Sequence, residues 1–274
     1  MTEQPTPGTM PTVKGVLLSP QRPLGERPLL VLGPSLGTST ILWNAAAPSL
    51  GDRYDIVAWD LPGHGISPVP TVGFGLPALA DAVVALVDSI APGARFHYAG
   101  VSVGGATGLH LALAHPERLR SLAVLCSGAK LGTAEGWQER AETVRKLGTA
   151  MMIQGSAERW FAPGFMDRQP DVASRLLHSL RDADRFGYAF VCEALAGHDV
   201  RAQLGNVTVP TLAIAGVEDV VAPPSFAEEV ADGITSGGGA ARAVPVAGVG
   251  HLAPAEDPAT VAGLLAGFME ENSK

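Results

Sequence analysis

The feature that most restricts the fold of this chain is Gly100-Val101-Ser102-Val103-Gly104, a serine between glycines at the joint of two unlike segments. Before it, Arg95-Phe96-His97-Tyr98-Ala99 is short and aromatic and predicts a buried strand. After it, residues 105–114 predict a helix that ends at His115-Pro116, because proline disfavours a helical conformation in the residue it follows. A chain passing from strand to helix across a single residue must turn sharply. Small neighbours leave room for the turn, and the residue at its tip takes a strained backbone. That turn lifts the serine hydroxyl clear of the strand and sets a helix N-terminus behind it, where developing negative charge is favoured.

A serine alcohol is a weak nucleophile at neutral pH, so it needs a base, and the base needs an orienting acid. Seven histidines are available. His97 lies inside the strand before the serine and is expected to pack or cap. His110 and His115 fall on the following helix, and His178 and His198 lie in a helical, charged region that suggests surface or cap positions. His64 belongs to the turn Asp60-Leu61-Pro62-Gly63-His64-Gly65, to which no chemistry is assigned. His251 follows a predicted strand (241–246) and precedes the last predicted helix (258–270), on the glycine-flanked loop Gly248-Val249-Gly250-His251. Such a loop suits a base whose ring must reach over the serine. For the acid, the predicted strand 211–215 delivers Glu218 and Asp219 just past Gly216, at the end of a sheet where such sites are built. The two compete, and Asp219 fits better by its offset from Gly216.

Acyl transfer also requires N–H donors for the oxyanion. The amide of Val103 is one candidate. The loop after the predicted strand 28–32, Gly33-Pro34-Ser35-Leu36-Gly37-Thr38-Ser39, supplies the other, and counting back from Trp43 selects Leu36.

The ordered set formed by Gly33 to Gly37, Asp60-Leu61-Pro62-Gly63-His64-Gly65-Ile66-Ser67, the Ser102 turn, Gly216 to Asp219 and Gly250-His251 resembles the α/β-hydrolase superfamily over nearly the whole chain after residue 13. The order serine, aspartate, histidine is that superfamily's order. Within it, Pro34-Ser35-Leu36-Gly37-Thr38 with Trp43 is similar to the oxyanion loop of 3-oxoadipate enol-lactonases. The similarity continues through Leu125-Cys126-Ser127-Gly128-Ala129-Lys130-Leu131-Gly132, Trp137, Arg159-Trp160-Phe161, Phe165-Met166 and Gly187-Tyr188. Two positions depart from that pattern: Pro34 stands where asparagine is usual, and Lys130 where arginine is expected.

The chain's 274 residues accommodate one α/β core with an insertion. Strands are predicted at 13–18, 28–32, 55–59, 95–99, 121–126, 211–215 and 241–246, and helices at 40–50, 76–91, 103–114, 225–234 and 258–270. This alternation implies a mostly parallel sheet, of the eight-stranded type if the resemblance holds, with helices on both faces. The rhythm breaks between 134 and 196, where the pattern is helical only. The expected division is a loose tail at 1–12, a core at 13–130 and 201–274, and a helical cap at 131–200 that shapes the pocket and limits water access.

The net charge of −8 and the absence of a basic run argue against nucleic-acid or anionic-membrane partners. Cys126 and Cys192 match no metal or redox spacing and suggest buried thiols in a reducing compartment. With no apolar leader or spanning segment evident, the expected location is the cytoplasm.

The resemblance implies a lactone carrying a free carboxylate, hydrolysed without metal or organic cofactor, so a cation should face the pocket. Eight of the nineteen Lys and Arg residues fall within 131–200, too many to select among by count alone. Glu142 with Lys146 and Asp171 with Arg175 read as helix-spaced pairs on a solvated face. Lys130 and Arg140 flank the cap entrance and are the candidates for the carboxylate. Trp137 and Trp160 are candidate pocket walls, with plain packing as the alternative. A general carboxylesterase, a C–C bond hydrolase and a non-catalytic binding protein on the same fold are the competing readings.

Overall fold

Strands β2 (Leu29–Gly33), β3 (Asp55–Asp60) and β4 (Phe96–Val101) are buried at every position, as expected where helices cover both faces of a parallel sheet. The computed structural model describes residues 9–19 and 25–273. Its sheet has seven strands in the order β1-β3-β2-β4-β5-β6-β7, adding β1 (Lys14–Leu17), β5 (Leu119–Leu125), β6 (Thr211–Gly216) and β7 (Ala241–Val246). Only β1 runs antiparallel, paired to β3 at one edge. Among the described residues the sheet has one strand fewer than the eight-stranded form, and residues 9–13 ahead of β1 form no strand. Residues 1–8 of the expected tail lie outside the described residues.

Helices α1 (Leu76–Ile90), α2 (Val103–Ala114), α8 (Pro224–Ser236) and α10 (Pro258–Glu271) cover the sheet, with the short α9 (Ala253–Glu256) just before α10. Five helices separate β5 from β6: α3 (Ala134–Leu147), α4 (Ile153–Trp160), α5 (Phe165–Arg168), α6 (Pro170–Asp182) and α7 (Arg185–Ala196). Large side chains fully removed from water, among them Trp43, Trp59, Tyr98 and Leu32, tie the layers together. Each contributes about 1.5–3 kcal/mol from burial alone.

The helix predicted at 40–50 is instead two 3₁₀ turns, Thr40–Trp43 and Ala47–Ser49. Asn44 and Pro48 are poor helix formers, and Trp43 is held by its indole N–H donating to the Gly33 carbonyl at 3.0 Å.

The sheet order sets the site. From β2 the chain crosses to β3 on one side, whereas its other neighbour β4 leads to β5 on the opposite side. Adjacent parallel strands whose connections diverge leave a crevice beyond their C-terminal ends. Here β2 runs into loop 34–39 and β4 runs into Ser102.

Candidate active site

Ser102 stands at the tip of β4 with φ 55° and ψ −118°, one of two non-glycine residues with positive φ among those described. That conformation is strained for an L-residue and persists because its surroundings fix it. Its N–H donates to the Leu125 carbonyl at 2.9 Å, and its own carbonyl accepts from the Ser127 hydroxyl at 2.7 Å. The glycines are required by close backbone approach: a Cβ on Gly100 would lie 2.3 Å from the Gly104 carbonyl carbon, and one on Gly104 would lie 2.6 Å from the Pro34 oxygen.

Asp219 leaves β6 through a turn in which its N–H donates to the Gly216 carbonyl at 3.2 Å. Its Oδ1 accepts from the Val221 and Ala222 amides at 2.8 and 3.0 Å, which orients the carboxylate. Its Oδ2 lies 2.8 Å from His251 Nδ1, with the two side chains 0% and 3% exposed. Glu218, the competing acid, is exposed. Because a carboxylate can only accept, Nδ1 carries the proton and Nε2 keeps its lone pair.

Loop 34–39 is closed by Thr38, whose hydroxyl donates to the Ser35 carbonyl at 2.8 Å and accepts the Ser35 amide at 3.0 Å. Gly104 N–H donates to the Pro34 carbonyl at 3.0 Å and brings this loop against the start of α2. Among the described residues, the Leu36 and Val103 amides have no protein acceptor.

His64 supports that loop, a role the sequence reading left unassigned. Its Nδ1–H donates to the Pro62 carbonyl at 3.1 Å, so Nε2 accepts the Gly37 amide at 3.3 Å. Burial pushes its pKa down to about 4, which keeps the imidazole neutral and able to accept. Asp60 joins the same turn to the next segment, accepting from the Thr40 amide at 2.7 Å and the Ile66 amide at 3.0 Å.

The helical insertion meets this rim directly. Leu180 and Trp160 pack over Gly37, and the Cα atoms of Gly63 and Gly187 are so close that a Cβ on either would clash with the other's backbone. The Tyr188 ring stacks on His64 with centroids 5.9 Å apart. The Arg140 charge acts on the Tyr188 hydroxyl, and its guanidinium sits 5.0 Å from the Trp137 ring centroid. Burial and then repulsion from Arg140 hold the Arg159 guanidinium below its usual pKa, so two cations share the surroundings of Tyr188. Sequence reading missed Arg159 and Tyr188 as a pair with Arg140, because their approach depends on how α3, α4 and α7 pack.

Several side chains meet partners that their positions in the chain do not reveal. Lys130 sits at the root of the insertion, where it forms a backbone bridge with Asp199 and places its ammonium 3.5 Å from that carboxylate. Arg201 binds the same carboxylate at 2.6 Å and holds that acid well below the usual range, so two cations share one anion and the cluster keeps a net positive charge. His198 is buried rather than at the surface: its Nε2–H donates to the Gly128 carbonyl at 2.9 Å, and its Nδ1 accepts from His110 Nε2 at 3.2 Å. Arg175 binds the backbone carbonyl of Asp171 instead of its carboxylate, whereas Lys146 and Glu142 pair at 3.6 Å. Trp137 donates its indole N–H to the Leu131 carbonyl and is half-buried, and Trp160 is buried. Among the described residues no cluster of His, Cys, Asp or Glu could hold a metal, and no helix is long and apolar enough to cross a membrane.

Comparison with known proteins agrees with this geometry. Residues 28–258 match the family described as the alpha/beta hydrolase fold. The chain is 40% identical over 197 residues to 3-oxoadipate enol-lactonase 2 of Acinetobacter baylyi, covering 72% of this chain and 73% of that one. It is 32% identical to 3-oxoadipate enol-lactonase 1 of the same organism, covering 89% of each. The solved enol-lactonase of Burkholderia xenovorans superposes with a TM-score of 0.88 at 29% identity, covering 94% of this chain and 96% of that one. A strained serine at the switch point, a buried acid–imidazole pair on the same edge of the sheet, and a family match running through all three residues lead to one conclusion: the chain belongs to the α/β-hydrolase family.

Proposed function

We propose that this hydrolase opens 3-oxoadipate enol-lactone to 3-oxoadipate, with Ser102 as nucleophile, His251 as base and Asp219 as the acid that orients it. The observation that carries the reading is the buried Nδ1–Oδ2 bond at 2.8 Å, which leaves His251 Nε2 free to take a proton. His251 deprotonates Ser102 as the hydroxyl attacks the lactone carbonyl. The Leu36 and Val103 amides stabilise the oxyanion. Collapse of the tetrahedral intermediate breaks the ring C–O bond, imidazolium His251 gives its proton to the departing enolate oxygen, and the enol tautomerises to the 3-oxo acid. Water activated by His251 then frees the product from Ser102.

The substrate carboxylate is assigned to Arg140, with Arg159 beside it. Arg140 lies near Tyr188, whose ring stacks on His64 beside loop 34–39, and among the described residues it has no ion-pair partner. Lys130, which shares Asp199 with Arg201, stands as the second candidate for this role. Trp137 presents its ring to Arg140, and Trp160 packs against Gly37 at the pocket wall. The helical insertion acts as the cap. A catalytic reading is favoured over a pure binding protein because a binder has no use for an oriented acid–base pair.

The test compares kcat/KM, read as opening of the lactone ring, for the enol-lactone and for its methyl ester, in which an uncharged ester group replaces the carboxylate. A preference of about tenfold or more for the free acid is expected, the range of a charge-assisted hydrogen bond. Equal rates would favour a general carboxylesterase.

A further inference from the structure

His251 is held from below as well as through its ring. Glu256, at the end of α9, turns its carboxylate back under the loop. Oε1 accepts from the Gly250 amide at 3.0 Å and the Leu252 amide at 3.2 Å, the residues on either side of His251. Oε2 accepts from Ala162 at 2.7 Å, in the segment that follows α4 of the helical insertion. The same segment is bound a second time, by His251 N–H donating to the Trp160 carbonyl at 2.9 Å. Gly250 has no space for a side chain here: a Cβ would lie 2.7 Å from the Ala162 nitrogen and 3.0 Å from Glu256 Oε1.

We propose that Glu256 is a positioning residue that sets the angle of the His251 loop and couples it to the helical insertion. Three N–H donors converge on one side chain, and only a carboxylate accepts all three with charge assistance. A glutamine in its place offers one acceptor oxygen, so at least one amide, that of Ala162 or those of Gly250 and Leu252, would face an NH₂ group. The anion also acts on the ring, because imidazolium formed during the reaction lies in the field of both Glu256 and Asp219. The Cys126 thiol feels both carboxylates as well, and burial together with them keeps it protonated. Burial raises the pKa of Glu256 itself, while its three amide donors oppose that rise. The proposal rests on the reading of His251 as the base.

The experiment measures the rate at which a fluorophosphonate labels the full-length protein, across pH, for wild type, Glu256→Gln, Glu256→Asp and Ser102→Ala, with thermal melts alongside. Displacing a catalytic group by about 1 Å lowers rates on the order of 10²-fold. Glu256→Gln should therefore label about tenfold to a hundredfold more slowly and move the acid limb of the rate profile to lower pH, because a nearby negative charge is gone. Glu256→Asp should slow labelling by reach alone and leave the acid limb in place; it also reads the position of the loop should the glutamine variant not fold. A folded Glu256→Gln or Glu256→Asp variant that labels within twofold of wild type, with an unmoved profile, overturns the proposal. Labelling that persists in Ser102→Ala, or fails in wild type, overturns the nucleophile reading on which the proposal stands.

Discussion

The C-terminal rim of the sheet and the helical insertion handle polar groups in opposite ways. At the rim, Asp60, His64, Asp219 and His251 are buried, and each has defined hydrogen-bond partners. In the insertion, Arg140 and Arg159 gather around one tyrosine, and their charges repel instead of pairing. Groups that must not move are locked by buried bonds with one solution, whereas groups left uncompensated await a charge from outside. The contrast is the one the proposed function requires, with the chemistry assigned to the rim and substrate choice to the insertion.

Substitutions should separate the two regions. At the rim, Ser102→Ala should lower kcat by about 10⁶-fold while leaving the melting curve unchanged, the scale found when a triad nucleophile is removed. Asp219→Asn should lower kcat by about 10⁴-fold through the wrong imidazole tautomer, measured on the same substrate. In the insertion, Arg140→Ala should raise KM for the carboxylate-bearing lactone by about 10- to 100-fold and leave a neutral ester unaffected. A fall in kcat for both substrates would break the division. Lys130→Ala should raise KM for the same lactone by less than Arg140→Ala does, since Lys130 already shares the Asp199 carboxylate with Arg201.

The His110–His198 pair carries a pH signature that belongs to neither region. Burial pushes the His110 pKa down to about 3 from its ordinary 6.5, and also lowers that of His198. Both are neutral when folded, so below pH 6.5 the unfolded chain binds more protons than the folded one. Stability is therefore full above pH 6.5 and falls as the pH drops toward 3. A His198→Asn variant should show a flatter dependence of Tm on pH over that window.

The rim was legible in the sequence because its signals are local. A serine in a sharp turn needs adjacent glycines, and a strand bounded by Pro210 and Gly216 announces the acid at its end. The choice of Asp219 over Glu218 came from a short offset in the chain, and Asp219 is the one bonded to His251; Leu36, chosen in the same way, has an amide without a protein acceptor among the described residues. The insertion was legible as helices, but its working contacts were not. Tyr188 on His64 joins residues 124 apart in the chain, and no spacing rule encodes a contact of that length. Lys130 is similar: its place at the insertion's entrance could be read from the sequence, whereas the Asp199 and Arg201 beside it are visible only in the fold. Glu256 lies five residues past His251, within sequence reach, yet its role depends on amides that carry no side-chain signal.

The most direct test follows the ultraviolet absorbance of 3-oxoadipate enol-lactone with purified wild type and Ser102→Ala. The account requires rapid loss of absorbance with wild type and none above background with the variant. Loss at equal rates in both would contradict Ser102 as nucleophile. No loss with either, while a neutral ester is cleaved, would contradict the lactone.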